Sequence, residues 1–351
     1  MMQSPLSSED RQSQTPAPGR SIEVLFQKAI QGDRRSLARL FTRIERDISA
    51  LREVMRLAYA VTGRGSIVGI TGPPGAGKST IVDGLTSTAR SKGKTVGVLA
   101  VDPTSPFTGG AVLGDRIRMQ SHYRDPGVYI RSLATKGVPG GLNAVTRAGA
   151  KLLDAVGKEL IIVETVGVGQ SEYDIMGVAD HVIVVLVPEA GDSVQTMKAG
   201  LLEIADTFVV NKSDRDGAGQ LASALRSMIS LQSDSASSLP PVLLTQAHKG
   251  EGITELYEGA SSRIDHLRCS GELAQRRSRQ AVREVGRLLK TSANQAVDRI
   301  LESDSGVAEL VECVLTGSLD PYAASRKIIE GGTIARAMEA ESLNSGYRSG
   351  A

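Results

Sequence analysis

The chain has 351 residues, 40% hydrophobic and 23% charged, and 41 Lys plus Arg nearly balance 39 Asp plus Glu for a net charge of +2. That mix suits a soluble globular protein of one large domain with appendages or two modest domains, and it gives no electrostatic case for a nucleic-acid or membrane-surface protein. Its two cysteines, Cys269 and Cys313, form neither a disulfide framework nor a metal-ligand pattern. The first residues lack the apolar core of a secretory signal, and no apolar run nears the roughly 20 residues that span a bilayer, so a cytoplasmic location is expected.

Residues 1–20 are rich in Ser, Gln and Pro and predict a disordered tail. From 21 to 63 the pattern is helical. Leu37, Leu40, Phe41, Ile44, Ile48, Leu51, Met55 and Ala58 recur at three- and four-residue steps, and Thr62-Gly63-Arg64-Gly65 ends the run. Residues 64–266 then alternate short apolar runs with helical stretches. Strands are predicted at Ile67–Thr71, Thr95–Val101, Val128–Ser132, Leu160–Thr165, Val182–Val187, Thr207–Val210 and Val242–Thr245, with helices at 78–92, 140–157 and 192–203 among the fillers. Several strands are apolar throughout, as in a parallel sheet covered on both faces, so the fold class is α/β.

Beyond about residue 250 the strands stop. Ala281–Leu301 places Val282, Val285, Leu289, Ala296 and Ile300 on one helical face, and Asp320-Pro321 opens a final short helix. Residues 267–340 are expected to form a helical arm and 341–351 a flexible tail. The Arg-dense stretch Arg276–Lys290 reads as a solvated helix face.

Gly72-Pro73-Pro74-Gly75-Ala76-Gly77-Lys78-Ser79 fits G-x-x-x-x-G-K-[ST] between a predicted strand and a predicted helix that continues through Thr80. The glycines let successive N–H groups curl around phosphates, and the helix N-terminus adds positive potential there. Lys78 is expected on the β- and γ-phosphates and Ser79 on Mg²⁺. Leu160–Val163 ends in Glu164, which reads as a second metal carboxylate, the alternative being a Glu that caps the next segment, and Gly167 follows, which can turn toward the γ-phosphate. Asp102 ends another strand and Asp115 follows it; two acids there can reach metal-bound water or orient the attacking water, although Asp102-Pro103 alone reads equally as a turn.

Asn211-Lys212-Ser213-Asp214 ends a further strand with N-K-x-D. The Asp214 carboxylate can accept from guanine N1–H and the exocyclic amine, whereas adenine offers no such donor pair and would leave the acid unpaired. Asn211 is expected to tie this loop to the phosphate loop, the Lys212 stem to cover the base, and Gln246 and Ala247 to complete the GTP set. The four histidines, His122, His181, His248 and His266, share no spacing and read as structural or surface groups.

With these motifs in place the chain resembles the MeaB/ArgK (MMAA-type) family of P-loop GTPases, chaperones of adenosylcobalamin-dependent acyl-CoA mutases such as methylmalonyl-CoA mutase. The resemblance runs from about Ser21 to Glu330. It rests on Thr71–Thr80, Val101–Met119 with its run VDPTSPFTGGAVLGDRIRM, Ser132–Leu142, Glu164–Asp174, Ala190–Gly200 and Ala205–Asp214. It implies a P-loop NTPase parallel sheet of the SIMIBI type, flanked by helices, with N- and C-terminal helical extensions and a homodimer built through the C-terminal arm. It also implies Asp102, Asp115 and Glu164 around Mg²⁺, and a loop Pro188–Lys198 that answers the mutase through Asp192 and Lys198.

Lys136, Val138-Pro139 and Glu189 depart from the family's usual residues in partner-facing loops, which leaves open mutases other than the methylmalonyl one. Gly167 is not followed by a glutamine to orient water, Gln170 lying three residues on, so slow intrinsic hydrolysis sped up by the mutase is expected. The alternatives are a nickel-inserting metallochaperone GTPase of the same fold class and an ATP-dependent kinase tied to basic amino-acid transport. The first is weakened by the lack of clustered Cys or His, the second by Asp214.

Overall fold

All seven apolar runs predicted as strands are strands: β1 (Ser66–Thr71), β2 (Val96–Pro103), β3 (Val128–Thr135), β4 (Leu160–Glu164), β5 (His181–Leu186), β6 (Thr207–Asn211) and β7 (Val242–Thr245). The computed structural model describes residues 21–103, 120–135, 144–165, 174–188, 203–231 and 239–344. The strands make one parallel sheet in the order β3-β2-β4-β1-β5-β6-β7. Every residue of β4, β5 and β6 is buried, which is why their sequences are apolar without alternation. At the edge, β7 leaves Leu244 43% exposed. The helices named from here on include α4 (Lys78–Ser91), α5 (Ala144–Ala155), α6 (Ala218–Leu231) and α7 (Ile253–Cys269), numbered after the three that precede the sheet.

The stretch that reads as one helical face is three helices, α1 (Ile22–Ile30), α2 (Arg34–Arg46) and α3 (Ile48–Tyr59). Gly32 turns after α1 with φ of 94°. Asp47 both closes α2 and caps α3, its carboxylate accepting from Ser49 N at 2.8 Å. Leu37, Leu40, Phe41 and Ile44 are buried as expected, whereas Ile48, at the first turn of α3, is 60% exposed. Phe41 stacks on Tyr129 of β3 with centroids 5.4 Å apart, and Glu45 pairs twice with Arg131 of β3 at 3.0 and 2.6 Å.

The exit from this extension is fixed by one buried carboxylate. Asp154, 3% exposed on α5, accepts from the backbone N–H groups of Gly63, Arg64 and Gly65 at 2.6, 3.2 and 2.8 Å. Replacing it with alanine strands the buried Gly65 N–H, which costs about 1–3 kcal/mol, whereas Gly63 and Arg64 are exposed and water can take up their donors. We expect Asp154→Ala to lower unfolding stability by about 2 kcal/mol, read as a shift of the urea midpoint at unchanged slope; an unmoved midpoint would refute the pinning role.

The chain divides into two compact units between Ser261 and Ser262, within α7. The second unit holds α8 (Glu272–Ser303), α9 (Ser305–Leu315), α10 (Pro321–Glu330) and α11 (Thr333–Asn344). Asp320 caps α10 by accepting from Tyr322 N and Ala323 N, with Pro321 in the first turn. This helix is not the last, because Thr333–Asn344 forms another. The apolar stripe predicted on α8 splits. Ala296 and Ile300 are buried, but Val282, Val285 and Leu289 are 73%, 58% and 57% exposed, so the packing of α9 and α11 on α8 leaves these three uncovered. Among the described residues no helix is long and apolar enough to cross a membrane.

Candidate functional site

The sheet's carboxyl edge gathers the motifs. β1 runs into Gly72, and α4 begins at Lys78 after a glycine, Gly77, with φ of 88° and no side-chain cap. By contrast α1, α2 and α3 are each capped by a Ser or Asp oxygen. The first N–H groups of α4 are therefore directed into a loop built for an outside acceptor. Two glycines are required by close approach as well as by φ. A Cβ on Gly72, with φ of 136°, would fall on the carbonyl of Val185, and one on Gly77 would fall on the Asn211 amide nitrogen.

Lys78 is 7% exposed and its Nζ donates to the carbonyls of Gly72 at 2.8 Å and Pro73 at 3.0 Å, arching back over the loop. Ser79 Oγ donates to Glu164 Oε1 at 2.7 Å, and both residues are buried. The sheet register explains this meeting: Ile70 of β1 pairs with Glu164 of β4, and Thr165 N donates to Ile70 O at 3.0 Å. Thr165 Oγ1 also donates to Thr71 Oγ1 at 2.8 Å, locking the two strand ends together. Next in the sheet, β2 carries the backbone of Asp102 to the same edge, two residues beyond Ala100, which pairs with Glu164. Asp115, Gly167 and Lys198, with Gln170 and Asp192, lie outside the described residues.

On the other side of β1, β6 ends at Asn211, 3% exposed. Its amide nitrogen donates to Ala76 O in the glycine loop at 2.8 Å, and its oxygen accepts from Thr245 Oγ1 at 3.0 Å and Ala247 N at 3.1 Å. One side chain thus holds the phosphate loop, β6 and the turn after β7 in fixed relation. Lys212 follows with φ of 57°, the one non-glycine residue with positive φ among the described residues. That left-handed step turns the loop outward, where Ser213 N donates to Thr245 O and Arg215 N to Lys212 O, both at 3.0 Å.

These segments enclose a cleft of about 330 Å³ lined by Gly77, Thr80, Asn211, Lys212, Asp214, Arg215, Ala247 and His248. Gln246 lies one residue from the lining, its N–H on Glu251 O at 3.1 Å and its Oε1 accepting from Lys249 Nζ at 2.9 Å. Pro73, Pro74, Gly75 and Ala76 form the loop between β1 and α4. Arg215 is a lining residue that the sequence motifs pass over, and His248, which reads from sequence as a structural or surface group, also lines the cleft. Their signal is position alone, each one residue beyond a motif residue. Of the remaining histidines, His122 meets Ser87 at 3.3 Å and Asp83 at 3.2 Å, both on α4, and His181 meets Thr207 at 3.0 Å.

Comparison with known proteins agrees with this geometry. The family model described as methylmalonyl Co-A mutase-associated GTPase MeaB matches residues 37–302. A candidate GTPase of Pyrococcus horikoshii is 46% identical over 312 residues, 88% of this chain and 98% of that protein. The mouse methylmalonic aciduria type A homolog, mitochondrial, is 31% identical over 336 residues, covering 89% of this chain and 79% of that one. Among solved structures, one titled LAO/AO transport system kinase superposes with a TM-score of 0.66 at 26% identity, covering 88% of this chain and 96% of that chain. With a glycine loop and an N-K-x-D cleft held together by Asn211, the chain belongs to the MeaB family of P-loop GTPases.

Proposed function

We propose that this GTPase works with Mg²⁺ as a chaperone of an adenosylcobalamin-dependent acyl-CoA mutase of the methylmalonyl-CoA mutase type, gating cofactor loading and protecting or reactivating that enzyme. The observation that carries the nucleotide part is the Asn211 bridge, which sets the glycine loop and the Asp214 cleft at one fixed spacing. The triphosphate lies along Gly72–Thr80 with the N-terminus of α4 at the phosphates, and the base enters the cleft against Lys212, Asp214 and Ala247. Lys78 needs only to leave the carbonyls of Gly72 and Pro73 to reach a β- or γ-phosphate oxygen.

The donor set suits a hard cation. Ser79 and Glu164 offer a hydroxyl and a carboxylate in contact, the oxygen ligands that Mg²⁺ selects, with Asp102 and Asp115 as the further acids. Bound there, Mg²⁺ supplies charge neutralisation at the phosphate oxygens. Glu164 meanwhile orients the Ser79 hydroxyl, and the locked ends of β1 and β4 keep both groups in register with Lys78. Gly167 and Lys198, which lie outside the described residues, complete the proposal, the latter as a group brought into play by the partner.

The mutase role is supported by the family description and by the name of the mouse relative. The homodimer is supported by Val282, Val285 and Leu289, an exposed apolar face on α8 that a second copy would cover. The test is phosphate release from GTP and ATP with Mg²⁺, with and without purified acyl-CoA mutases, on protein whose molar mass is measured by light scattering. The expected result is slow, GTP-selective turnover by a dimer, raised severalfold by one mutase. Equal turnover of ATP would favour instead the kinase reading whose name the solved neighbour carries. A monomer, or indifference to every mutase, would remove the corresponding part of the proposal.

A further inference from the structure

Side-chain hydrogen bonds join three pairs of adjacent residues at the carboxyl edge of the sheet into a closed ring. The pairs are Thr71-Gly72 at the end of β1, Lys78-Ser79 at the start of α4 and Glu164-Thr165 at the end of β4. Lys78 Nζ donates to Gly72 O at 2.8 Å, Ser79 Oγ to Glu164 Oε1 at 2.7 Å, and Thr165 Oγ1 to Thr71 Oγ1 at 2.8 Å. Each pair is thereby bonded to the other two. Thr71 and Thr165 are 0% and 1% exposed, so water does not compete for their contact.

The three bonds differ in what a bound nucleotide does to them. Lys78 gives up the Gly72 carbonyl to reach a phosphate oxygen, and the Ser79 hydroxyl turns its lone pair to the cation. The Thr71–Thr165 bond lies outside both exchanges. The backbone bond from Thr165 N to Ile70 O, at 3.0 Å, ends the β1–β4 ladder one residue short of the loop strand's end, because Ile70 pairs with Glu164. The hydroxyl bond carries the tie on to Thr71, the residue that leads into Gly72. Thr71 is held from its other side as well. It pairs with Val184 of β5, and a Cβ on Gly72 would fall on the carbonyl of Val185.

We infer that Thr165 is a positioning residue for the Mg²⁺ site, its hydroxyl keeping the Glu164 carboxylate in place beside Ser79 once the nucleotide has engaged Lys78. The inference rests on the Mg²⁺-dependent GTPase reading above and adds a residue that acts through Glu164 rather than on the nucleotide. A buried hydroxyl pair also allows positioning to be separated from folding. Removing one partner strands the other, whereas replacing both by apolar groups of the same shape is nearly neutral for stability. Thr165→Val leaves the Thr71 hydroxyl stranded. In Thr71→Val, by contrast, the Thr165 hydroxyl still has Ile70 O at 3.5 Å.

The experiment compares the full wild-type chain with Thr165→Val, Thr165→Ser and the double variant Thr71→Val/Thr165→Val. Two quantities are measured: the Mg²⁺ concentration at half-maximal binding of a fluorescent non-hydrolysable GTP analogue, and the urea midpoint of unfolding. Thr165→Val should raise the Mg²⁺ midpoint severalfold, up to about the tenfold that one neutral hydrogen bond allows. Thr165→Ser, which keeps the hydroxyl, should retain the wild-type value. The double variant should recover the urea midpoint lost in Thr165→Val yet keep the raised Mg²⁺ midpoint, a split that a purely structural role does not produce. A Mg²⁺ midpoint that returns to wild type with the urea midpoint would overturn the inference, as would an unmoved Mg²⁺ midpoint in Thr165→Val. Analogue binding by the wild type that is indifferent to Mg²⁺ would overturn the metal reading and this inference with it, an outcome visible before any variant is compared.

Discussion

Lys78→Ala is expected to lower kcat/KM for GTP hydrolysis by at least about a hundredfold while leaving the fold in place. Removing one preorganised donor at a charge-developing oxygen costs about 10²–10³ in rate, and Lys78 brings a full charge. The side chain is 7% exposed and rests at 2.8 and 3.0 Å on two carbonyls of its own loop, which it leaves to reach the phosphates. It is the first residue of α4, where alanine is a good helix former, and the helix should survive its loss. Lys78→Arg should fare little better, because a planar fork cannot take the place of a compact ammonium against the two carbonyls. Phosphate release under single-turnover conditions, with thermal melts of both variants as folding controls, is the measurement. A well-folded Lys78→Ala protein retaining half of the wild-type rate would show that the loop's backbone, not its lysine, carries the chemistry.

The parts of this architecture that are legible in the sequence are those in which local chemistry and burial agree. Leu160-Ile161-Ile162-Val163 reads as a strand covered on both faces, and it is buried throughout. Asp320-Pro321 starts a helix because its cap and its first-turn proline act within four residues. The same locality explains the glycine loop, whose φ values of 136°, 75° and 88° at Gly72, Gly75 and Gly77 are those that glycine alone adopts readily. The spacing between motifs is a different matter. That Ser79 and Glu164 meet at 2.7 Å follows from β4 entering the sheet beside β1, which no pattern along the chain states.

The differences between sequence and structure have physical causes as well. Val282, Val285, Leu289, Ala296 and Ile300 share one helical period, but period says only that residues share a face, not that a partner covers its whole length. Here the cover is confined to Ala296 and Ile300. The N-terminal stretch reads as continuous because Gly32 and Asp47 interrupt the apolar rhythm without shifting it, and Asp47 ends one helix while starting another. Arg215 and His248 are hidden because neither belongs to a four-residue signature. They reach the cleft through the left-handed turn at Lys212 and the Asn211 grip on Ala247, both of them properties of the folded loop.

Asp214→Asn should exchange the base that the cleft prefers. Guanine presents N1–H and an exocyclic N–H side by side, and a carboxylate accepts both. Asparagine keeps one acceptor and turns a donor toward the amine, so one charge-assisted bond is weakened and the other becomes a clash of donors. Hydrogen bonds to charged groups contribute about 1.5–3 kcal/mol each. Asp214 is exposed in the open cleft, which argues for the lower figure, so a loss of about 3 kcal/mol, roughly a hundredfold in GDP affinity, is expected. Xanthine carries an oxygen where guanine carries the amine and keeps N1–H, and it matches the asparagine amide donor for acceptor. Xanthosine diphosphate should therefore bind the variant better than GDP does, with ADP poor in both proteins. The prediction is sharp because the loop is held on both sides of the substitution, Ser213 N on Thr245 O and Arg215 N on Lys212 O, and the two side chains are nearly isosteric. Displacement of a fluorescent diphosphate by the three nucleotides measures it. Unchanged GDP affinity in Asp214→Asn would mean that the base is read by another group, with Arg215 and His248 the next to replace.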